Sequence, residues 1–576
     1  MSVLSAQERR EALAARYPEW PKRTLPEHFR EQAKRYGTRP AVMTEERVFT
    51  YADIWDGAAR YAKALLRLGV ARRDHVAMIM ANEPETVSLM IAIWQIGAVC
   101  VPINTMLRGE ELKYVLRQSD SRWLFLHQLA GGVQHTESVM KICGDLPKLQ
   151  RMVCIQNTDK APEDLFLPWN DFLALQHEVS DEALEERAAA SRYPDEVADI
   201  IYTSGSTGQP KGVMLTHDMF LRCAFATAMS RGFEDGRRIF TALPLYHVFA
   251  LVEGILALSF VGGAHVMVPG FSPLQTLQII ERYQVNDMLC VPSMLVALIN
   301  HPEVPNYDLR SLYALMCAAA PAPVSVWQRA IDILKLTEIC TGYGGTEVTA
   351  STAHTEIGDA IETVVTRVGR IKPGGASGMA EFSGANVQYK TVDPATGEDL
   401  PVGAVGELTV RGNIVTRGYY NKPEETFAAI DKDGWFRTGD LGRLDERGYI
   451  ELLGRSKEQY KISGENVSPK EVEDVINKHP AVAQAYVVGV KDPATVETGA
   501  AFVELRPGHA CTRTEILEYC REHLAKFKVP RHVWFVTAAE WPLTGNGKIQ
   551  KFRLKEMAEN RLNERSKGKA GNEEIE

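Results

Sequence analysis

The stretch from Thr203 to Gly212, TSGSTGQPKG, gathers four hydroxyl side chains, three glycines and one lysine directly behind the apolar run VADIIY. A glycine-rich turn leaving a strand exposes successive backbone N–H groups, which together form a concavity suited to an anion. The hydroxyls of Thr203, Ser204, Ser206 and Thr207 add donors, Gly205 and Gly208 leave the backbone bare, and Lys211 adds a mobile positive charge. Phosphate binding is the chemistry these residues imply. A solvated Ser/Gly linker is the poorer reading, because linkers do not emerge from a strand such as ADIIY and lead into another apolar run, GVMLTH. Two familiar templates fail. A Walker A loop needs GxxxxGK followed by Ser or Thr, whereas Lys211 lies between Pro210 and Gly212. A nucleophile elbow, GxSxG, needs glycine two residues before the serine, and Ser204 stands there before Ser206.

The elements that must position this loop belong to a long chain. At 576 residues it exceeds one hydrophobic core, and roughly three or four domain-sized units are expected. With 45% hydrophobic and 24% charged residues it reads as an ordinary globular protein. The net charge of −9, and the lack of any basic stripe, argue against a nucleic-acid partner. Nine cysteines are scattered without a CxxC pair, which predicts reduced thiols in a cytoplasmic protein. The N-terminus, MSVLSAQERREALAARYPEW, has no apolar core of a signal peptide. The apolar stretch Val248 to Val268 is interrupted by Glu253, Gly262, Gly263 and His265, and reads as a helix followed by a buried strand, so no transmembrane segment is expected.

Up to about residue 300, strand-like runs such as HVAMIMA, CVPIN, WLFLH and ADIIYTS alternate with helical patterns such as TYADIWDGAARYAKALLRLG. That alternation predicts an α/β body, with mixed or parallel sheets covered by helices. From about Val368, short strands with frequent turn residues predict a small distorted β-barrel. Beyond GRSKEQYKISGENVSP the pattern predicts a compact, mobile α+β domain. The expected organisation is a large domain over 1–454, a C-terminal domain over 455–563, and a polar disordered tail over 564–576.

The whole string YTSGSTGQPKGVMLTH, Tyr202 to His217, resembles the signature loop of the adenylate-forming superfamily: acyl-CoA synthetases, peptide-synthetase adenylation domains and firefly luciferase. The superfamily's other motifs follow in order: PLYH (Pro244 to His247), AAAPAP (Ala318 to Pro323), YGGTE (Tyr343 to Glu347), RTGD (Arg437 to Asp440), GRSKEQYK (Gly454 to Lys461), SGENVSP (Ser463 to Pro469) and PLTGNGKIQK (Pro542 to Lys551). The chain is identified as a member on these eight segments, in the acyl-CoA synthetase branch acting on fatty or aryl acids.

The resemblance implies two steps: a carboxylate attacks the α-phosphate of ATP to give an acyl-adenylate and pyrophosphate, and a thiol, CoA, then displaces AMP. By the same resemblance, the loop Thr203 to Lys211 cradles the outer phosphates, Thr346 donates to the α-phosphate and Glu347 holds Mg2+. Ala319, Ala320 and Pro321 let a purine approach closely, with Tyr343 and Gly344 on its other side. Asp440 accepts from the ribose hydroxyls with Arg455 nearby, and Lys548 bridges carboxylate and α-phosphate. Lys457 is the expected hinge about which the small domain rotates, exchanging Lys548 for a CoA face with Lys461, Gly464 and Glu465.

His247 matches a gate beside the acyl pocket, which Val248 and Phe249 continue and which Gly345, in place of a larger residue, widens. No acid is expected there to pair a substrate ammonium, so a medium or long, alicyclic or aryl apolar acid is predicted. The Gly-rich segment IKPGGASGMAEFSGANVQYK, residues 371–390, is longer than in relatives and sits on the acyl side. Transfer to a carrier protein, an enzyme of one half-reaction and a nucleotide sensor without turnover remain open alternatives, and so does a homodimer.

Overall fold

The pattern TYADIWDGAARYAKALLRLG becomes the helix Tyr51–Leu68, and its ends explain why. Thr50 caps it, its hydroxyl accepting from the Asp53 N–H at 3.1 Å while the Asp53 carboxylate accepts from the Thr50 N–H at 2.8 Å. Gly69, at φ 96°, turns the chain out through the left-handed region. Ile54, Ala58, Tyr61, Ala62 and Leu65 form the buried stripe. The computed structural model describes residues 4–155, 166–203, 209–455, 458–462, 465–492, 496–543 and 548–568.

Two compact units emerge, one running to Tyr389 and including Val410–Phe436, the other comprising Lys390–Thr409 and the chain from Arg437 onward. The first unit holds two seven-stranded sheets. One runs Glu338–Cys340, Ala314–Cys317, Asp287–Cys290, Arg238–Thr241, Ala264–Met267, Pro40–Met43, Val48–Thr50, parallel except at the last strand. The other runs Lys211–Thr216, Val197–Thr203, Val99–Pro102, His75–Ile79, Trp123–His127, Arg151–Ile155, Phe166–Pro168, parallel except at the first. The inner strands are buried along nearly their whole length, as parallel strands covered by helices on both faces must be. The α/β body is as expected, with an antiparallel strand at one edge of each sheet.

Where turn-rich texture predicts a distorted barrel, the chain forms a three-stranded antiparallel sheet (Gly342–Gly344, Ser351–His354, Arg370–Ile371) and a four-stranded sheet (Val387–Val392, Gly406–Gly412, Phe436–Leu444, Ile450–Arg455) whose last two strands pair antiparallel. The stretch Val248 to Val268 is a helical run over Val248–Ser259, with a π-helical centre at Leu251–Leu256, followed by the buried strand Ala264–Met267. No helix among the described residues is long and apolar enough to cross a membrane.

In the second unit, Glu465–Val467, Tyr460–Ile462, Val496–Leu505 and Val482–Asp492 form a sheet in that order, and His532–Phe535 pairs with Val496–Leu505. The hairpin ending at Arg455 belongs to this unit because Ser468, which opens the helix Pro469–Ile476, donates to the Leu453 carbonyl. Compactness therefore places the division earlier than residue 454. The last helix spans Lys551–Gly568, so the first residues of the expected tail, from 564, are helical; those beyond 568 lie outside the described residues. All nine cysteines are unpaired, seven buried, with Cys143 and Cys511 half-buried.

Candidate active site

The strand Val197–Thr203 pairs antiparallel with Lys211–Thr216, Thr203 opposite Lys211, so the phosphate-type loop is pinched at its base. Gly212 makes that pinch: a Cβ there would lie 2.6 Å from the Ile200 side chain. Ser204, Gly205, Ser206, Thr207 and Gly208 lie outside the described residues. Asp199, in the same strand, is fully buried; its Oδ1 accepts from the Trp94 indole N–H at 2.7 Å, and burial pushes its carboxyl up to about 8, the indole opposing.

Lys211 leaves the strand end with its Nζ 4.0 Å from the centre of the Tyr419 ring, a cation held over a π face. The Tyr419 hydroxyl donates to Glu347 Oε1 at 3.0 Å. Burial, then the Glu347 charge, hold that phenol well above its ordinary pKa, so it stays a donor. Glu347 and the buried Thr346 share a short 3₁₀ turn, fixed by Gly345 N–H to Ala350 O at 2.9 Å and by Thr416 N–H to Glu347 O at 2.8 Å. Thr349 leaves the turn at φ 72°, a costly conformation for a β-branched residue, and its hydroxyl donates to Ile414 O at 2.7 Å. Gly344 is required by close approach, since a Cβ would meet Ala350 O at 1.8 Å; Gly345 is open, its nearest neighbour being Glu347 Oε2 at 3.7 Å.

Tyr343 is buried, its ring 6.0 Å from that of Tyr389. Ala319 follows the strand Ala314–Cys317 with φ 73° and, with Pro321, is exposed, while Ala320 is half-buried. The sequence does not announce that strained alanine.

His247 is half-buried and caps the helical run, its Nδ1 accepting from the Phe249 N–H at 3.2 Å; Val248 is buried and Phe249 half-buried. Asn82 steadies the segment before it, donating to Leu243 O at 2.9 Å and accepting from the Leu245 N–H at 2.9 Å. Further along the same helical run, Glu253 is fully buried. It accepts from the Thr227 hydroxyl at 2.8 Å, from the Ser351 N–H at 3.1 Å and from the Ser351 hydroxyl, and lies 3.4 Å from His354 Nε2 and 3.6 Å from Lys372 Nζ. Burial favours its neutral form, but Lys372 and the hydrogen bonds outweigh that and hold it ionised. Lys372 comes from the Gly-rich segment 371–390, which is itself anchored: Gly374 N–H donates to Gly384 O at 2.9 Å, Met379 N–H to Ala385 O at 2.8 Å, and Arg222 to Ser377 O.

In the second unit, Asp440 stands opposite Arg455 in a hairpin, and Arg455 Nε reaches Asp440 Oδ1 at 2.9 Å. Arg455 also donates to Thr438 O at 3.0 Å, and the Thr438 hydroxyl donates to Leu408 O at 2.7 Å. Lys548 lies in this field: burial first, and the Arg455 charge second, lower its pKa, with Asp440 opposing. Lys457 and Gly464 lie outside the described residues; Lys461 and Glu465 are placed by backbone alone, in the paired strands Tyr460–Ile462 and Glu465–Val467. The structure thus gathers Lys211, Thr346 and Glu347 in one unit, and Asp440, Arg455 and Lys548 in the other. Tyr419, Asn82 and Lys372 escape sequence reading, since each acts through a partner distant in the chain.

A helix-covered parallel body whose paired strands Val197–Thr203 and Lys211–Thr216 flank the Ser/Gly segment, and an α+β unit holding an Asp440–Arg455 pair and Lys548, is the arrangement of an AMP-binding enzyme. The chain belongs to that family: the AMP-binding enzyme profile matches residues 29–420, and that of the AMP-binding enzyme C-terminal domain residues 471–548. It is 34% identical to a putative acyl-CoA synthetase, YngI, of Bacillus subtilis, over 92% of this chain and 96% of that one. It is 32% identical to a methyl-dioxo-octahydroindenyl-propanoyl:CoA ligase of Mycobacterium tuberculosis, over 93% and 99%. Among solved structures, an anthranilate CoA ligase, AuaEII, in complex with anthranoyl-AMP superposes with a TM-score of 0.82 at 25% identity, over 97% of this chain and 100% of that one.

Proposed function

We propose that the protein is an ATP-dependent acyl-CoA ligase that activates an apolar carboxylic acid as its adenylate, releasing pyrophosphate, and passes the acyl group to CoA. The observation that carries this reading is the hairpin that sets Arg455 Nε 2.9 Å from Asp440 Oδ1, with Lys548, some ninety residues further on, in the field of both charges, a set that one ribose and one α-phosphate would need together. The first step joins two anions, so fixed donors and cations carry the catalysis. Lys211 neutralises the departing pyrophosphate, Thr346 donates to the α-phosphate, and Lys548 draws carboxylate and phosphate into line. Ala319, Ala320, Pro321 and Tyr343 hold the base, and Asp440 holds the sugar.

Glu347 fits Mg2+. Tyr419 occupies its Oε1, Oε2 faces the bare Gly345, and one carboxylate with phosphate and water oxygens is how this hard ion is usually held. The ion would supply charge screening along the polyphosphate. Lys457 serves as pivot, and Lys461, Gly464 and Glu465 form the CoA face.

The acid is apolar. The one carboxylate in the helix behind the gate, Glu253, is neutralised internally by Lys372 and so offers nothing to a substrate ammonium. Gly345 leaves room for bulk, and the alicyclic and aryl acids named for the relatives agree in kind. Pyrophosphate release measured with octanoic, dodecanoic, cyclohexylpropanoic and benzoic acids, with and without CoA, tests the proposal. Release that depends on acid and an acyl-CoA product are expected. Release that requires an acyl-carrier protein instead would reassign the acceptor, and no acid-dependent release would refute the reading.

A further inference from the structure

The segment just after the expected pivot is clamped on two sides within the second unit. Tyr460 is 1% exposed and lies in a slot left by Gly489 and Gly499, which face each other across neighbouring strands. A Cβ at Gly489 would stand 2.2 Å from the Tyr460 Cβ, and one at Gly499 2.6 Å from its hydroxyl oxygen. Two residues earlier, the Glu458 carboxylate lies 3.0 Å from Lys551 Nζ, and the same ammonium lies 2.9 Å from Glu473 Oε1. Glu473, in the helix Pro469–Ile476, is buried, and the same Oε1 accepts from the Val487 N–H at 2.8 Å.

Lys551 also stands at the foot of the loop that presents Lys548. Leu543 bridges to Ile549 across that loop, the Gln550 N–H donates to Pro542 O at 2.8 Å, and the helix Lys551–Gly568 begins immediately after. Its first turn is sunk by Leu554, which is fully buried. One ammonium therefore ties three pieces together: the residue following the pivot, the helix Pro469–Ile476 and the base of the Lys548 loop. A charge shared by two carboxylates, one of them buried, holds direction as well as distance.

We propose that Lys551 is a positioning residue for adenylation, locking the loop that carries Lys548 to the frame that turns at the pivot, so that rotation delivers Lys548 as part of a rigid body. This rests on the reading of Lys548 given above. Lys551 follows Lys548 by three residues and stands at the base of its loop, so adenylation should respond far more than thiolation.

The experiment compares ATP–pyrophosphate exchange with thiolation of supplied acyl-adenylate, using the panel acid that gives fastest release, for the full chain and for Lys551→Met, Lys551→Arg, Glu458→Gln and Lys548→Ala. Displacement of a catalytic group by about 1 Å costs on the order of 10²-fold, so Lys551→Met should lose about that much exchange kcat, with KM for ATP and the thiolation rate each within about twofold. Lys551→Arg, which keeps a cation between the carboxylates, should recover most of the loss. Glu458→Gln leaves Glu473 paired, should show a smaller loss of the same kind, and decides the matter if Lys551→Met does not fold. Equal loss in both half-reactions, unchanged exchange, or no recovery with arginine would overturn the proposal. Should Lys548→Ala abolish exchange while Lys551→Met and Glu458→Gln leave it intact, the coupling alone falls. Should Lys548→Ala keep exchange, the assignment of Lys548 falls and the role of Lys551 with it.

Discussion

Tyr419 joins the two charged residues of the proposed phosphate end, since its face holds the Lys211 ammonium and its hydroxyl donates to Glu347. Tyr419→Phe keeps the face and removes the donor. A hydrogen bond to a charged group is worth about 1.5–3 kcal/mol, so the apparent affinity for Mg2+ with ATP should fall roughly tenfold or more, while Lys211-dependent nucleotide binding without metal changes little. Titration of pyrophosphate release against Mg2+ reads this directly. Asp199 offers a test by pH. The unfolded carboxyl ionises near 3.8, whereas the folded one keeps its proton up to about 8. The folded state binds more protons across that window, so this group's contribution to stability declines as pH rises, at up to about 1.4 kcal/mol per unit. Asp199→Asn should remove this group's share of the fall in Tm between about pH 4 and pH 8. Lys211, Glu347 and Asp440 can be proposed from the sequence because each sits in a local motif. Tyr419 and Asn82 are not, because a phenol or an amide becomes functional only through a neighbour that folding supplies.

The helical run Val248–Ser259 and the segment 371–390 are joined by a buried ion pair, Glu253 with Lys372, closed by Thr227, Ser351 and His354. His354 is lowered to about 4, first by burial with Glu253 opposing, so it enters this network as a neutral partner at physiological pH. Removing one member of a buried pair typically costs about 3–5 kcal/mol because the other charge is stranded. Lys372→Met should therefore destabilise the first unit by that order in denaturant unfolding, and Lys372→Met with Glu253→Gln together should cost less than their sum. The alternation of strands and helices could be read from apolar periodicity, and so could the helix-then-strand in the apolar stretch. The π turn could not, because its apolar spacing is that of an ordinary buried helix, and only the partners gathered by Glu253 give it a reason. In the other unit, Gly489→Ala should lower Tm by the equivalent of about 1–3 kcal/mol through overpacking against Tyr460. Tyr460→Phe should be tolerated, since its buried hydroxyl has no hydrogen-bond partner among the described residues.

At the scale of the molecule, the proposed chemistry falls on both units: Lys211, Thr346 and Glu347 belong to one, Asp440, Arg455 and Lys548 to the other. If one lysine and one CoA face are to serve the same carboxyl group in turn, the chain near Lys457 must change its backbone angles. Lys457→Pro fixes φ there, and should slow overall acyl-CoA formation at least tenfold while leaving whichever half-reaction the locked arrangement serves; separate assays of the two steps check this. The order of the motifs made both units legible in the sequence. Their edges were not, because compactness follows packing: Ser468 on Leu453 draws the Arg455 hairpin to the C-terminal side, and the last helix continues through Gly568. The accessible thiols carry one more consequence. Seven of the nine are sealed in the interior, and the remaining two, Cys143 and Cys511, fall one in each unit. Brief maleimide treatment should therefore place a donor and an acceptor dye on opposite partners of the catalytic cycle in the native polypeptide, and turnover could be watched one molecule at a time without altering a single codon.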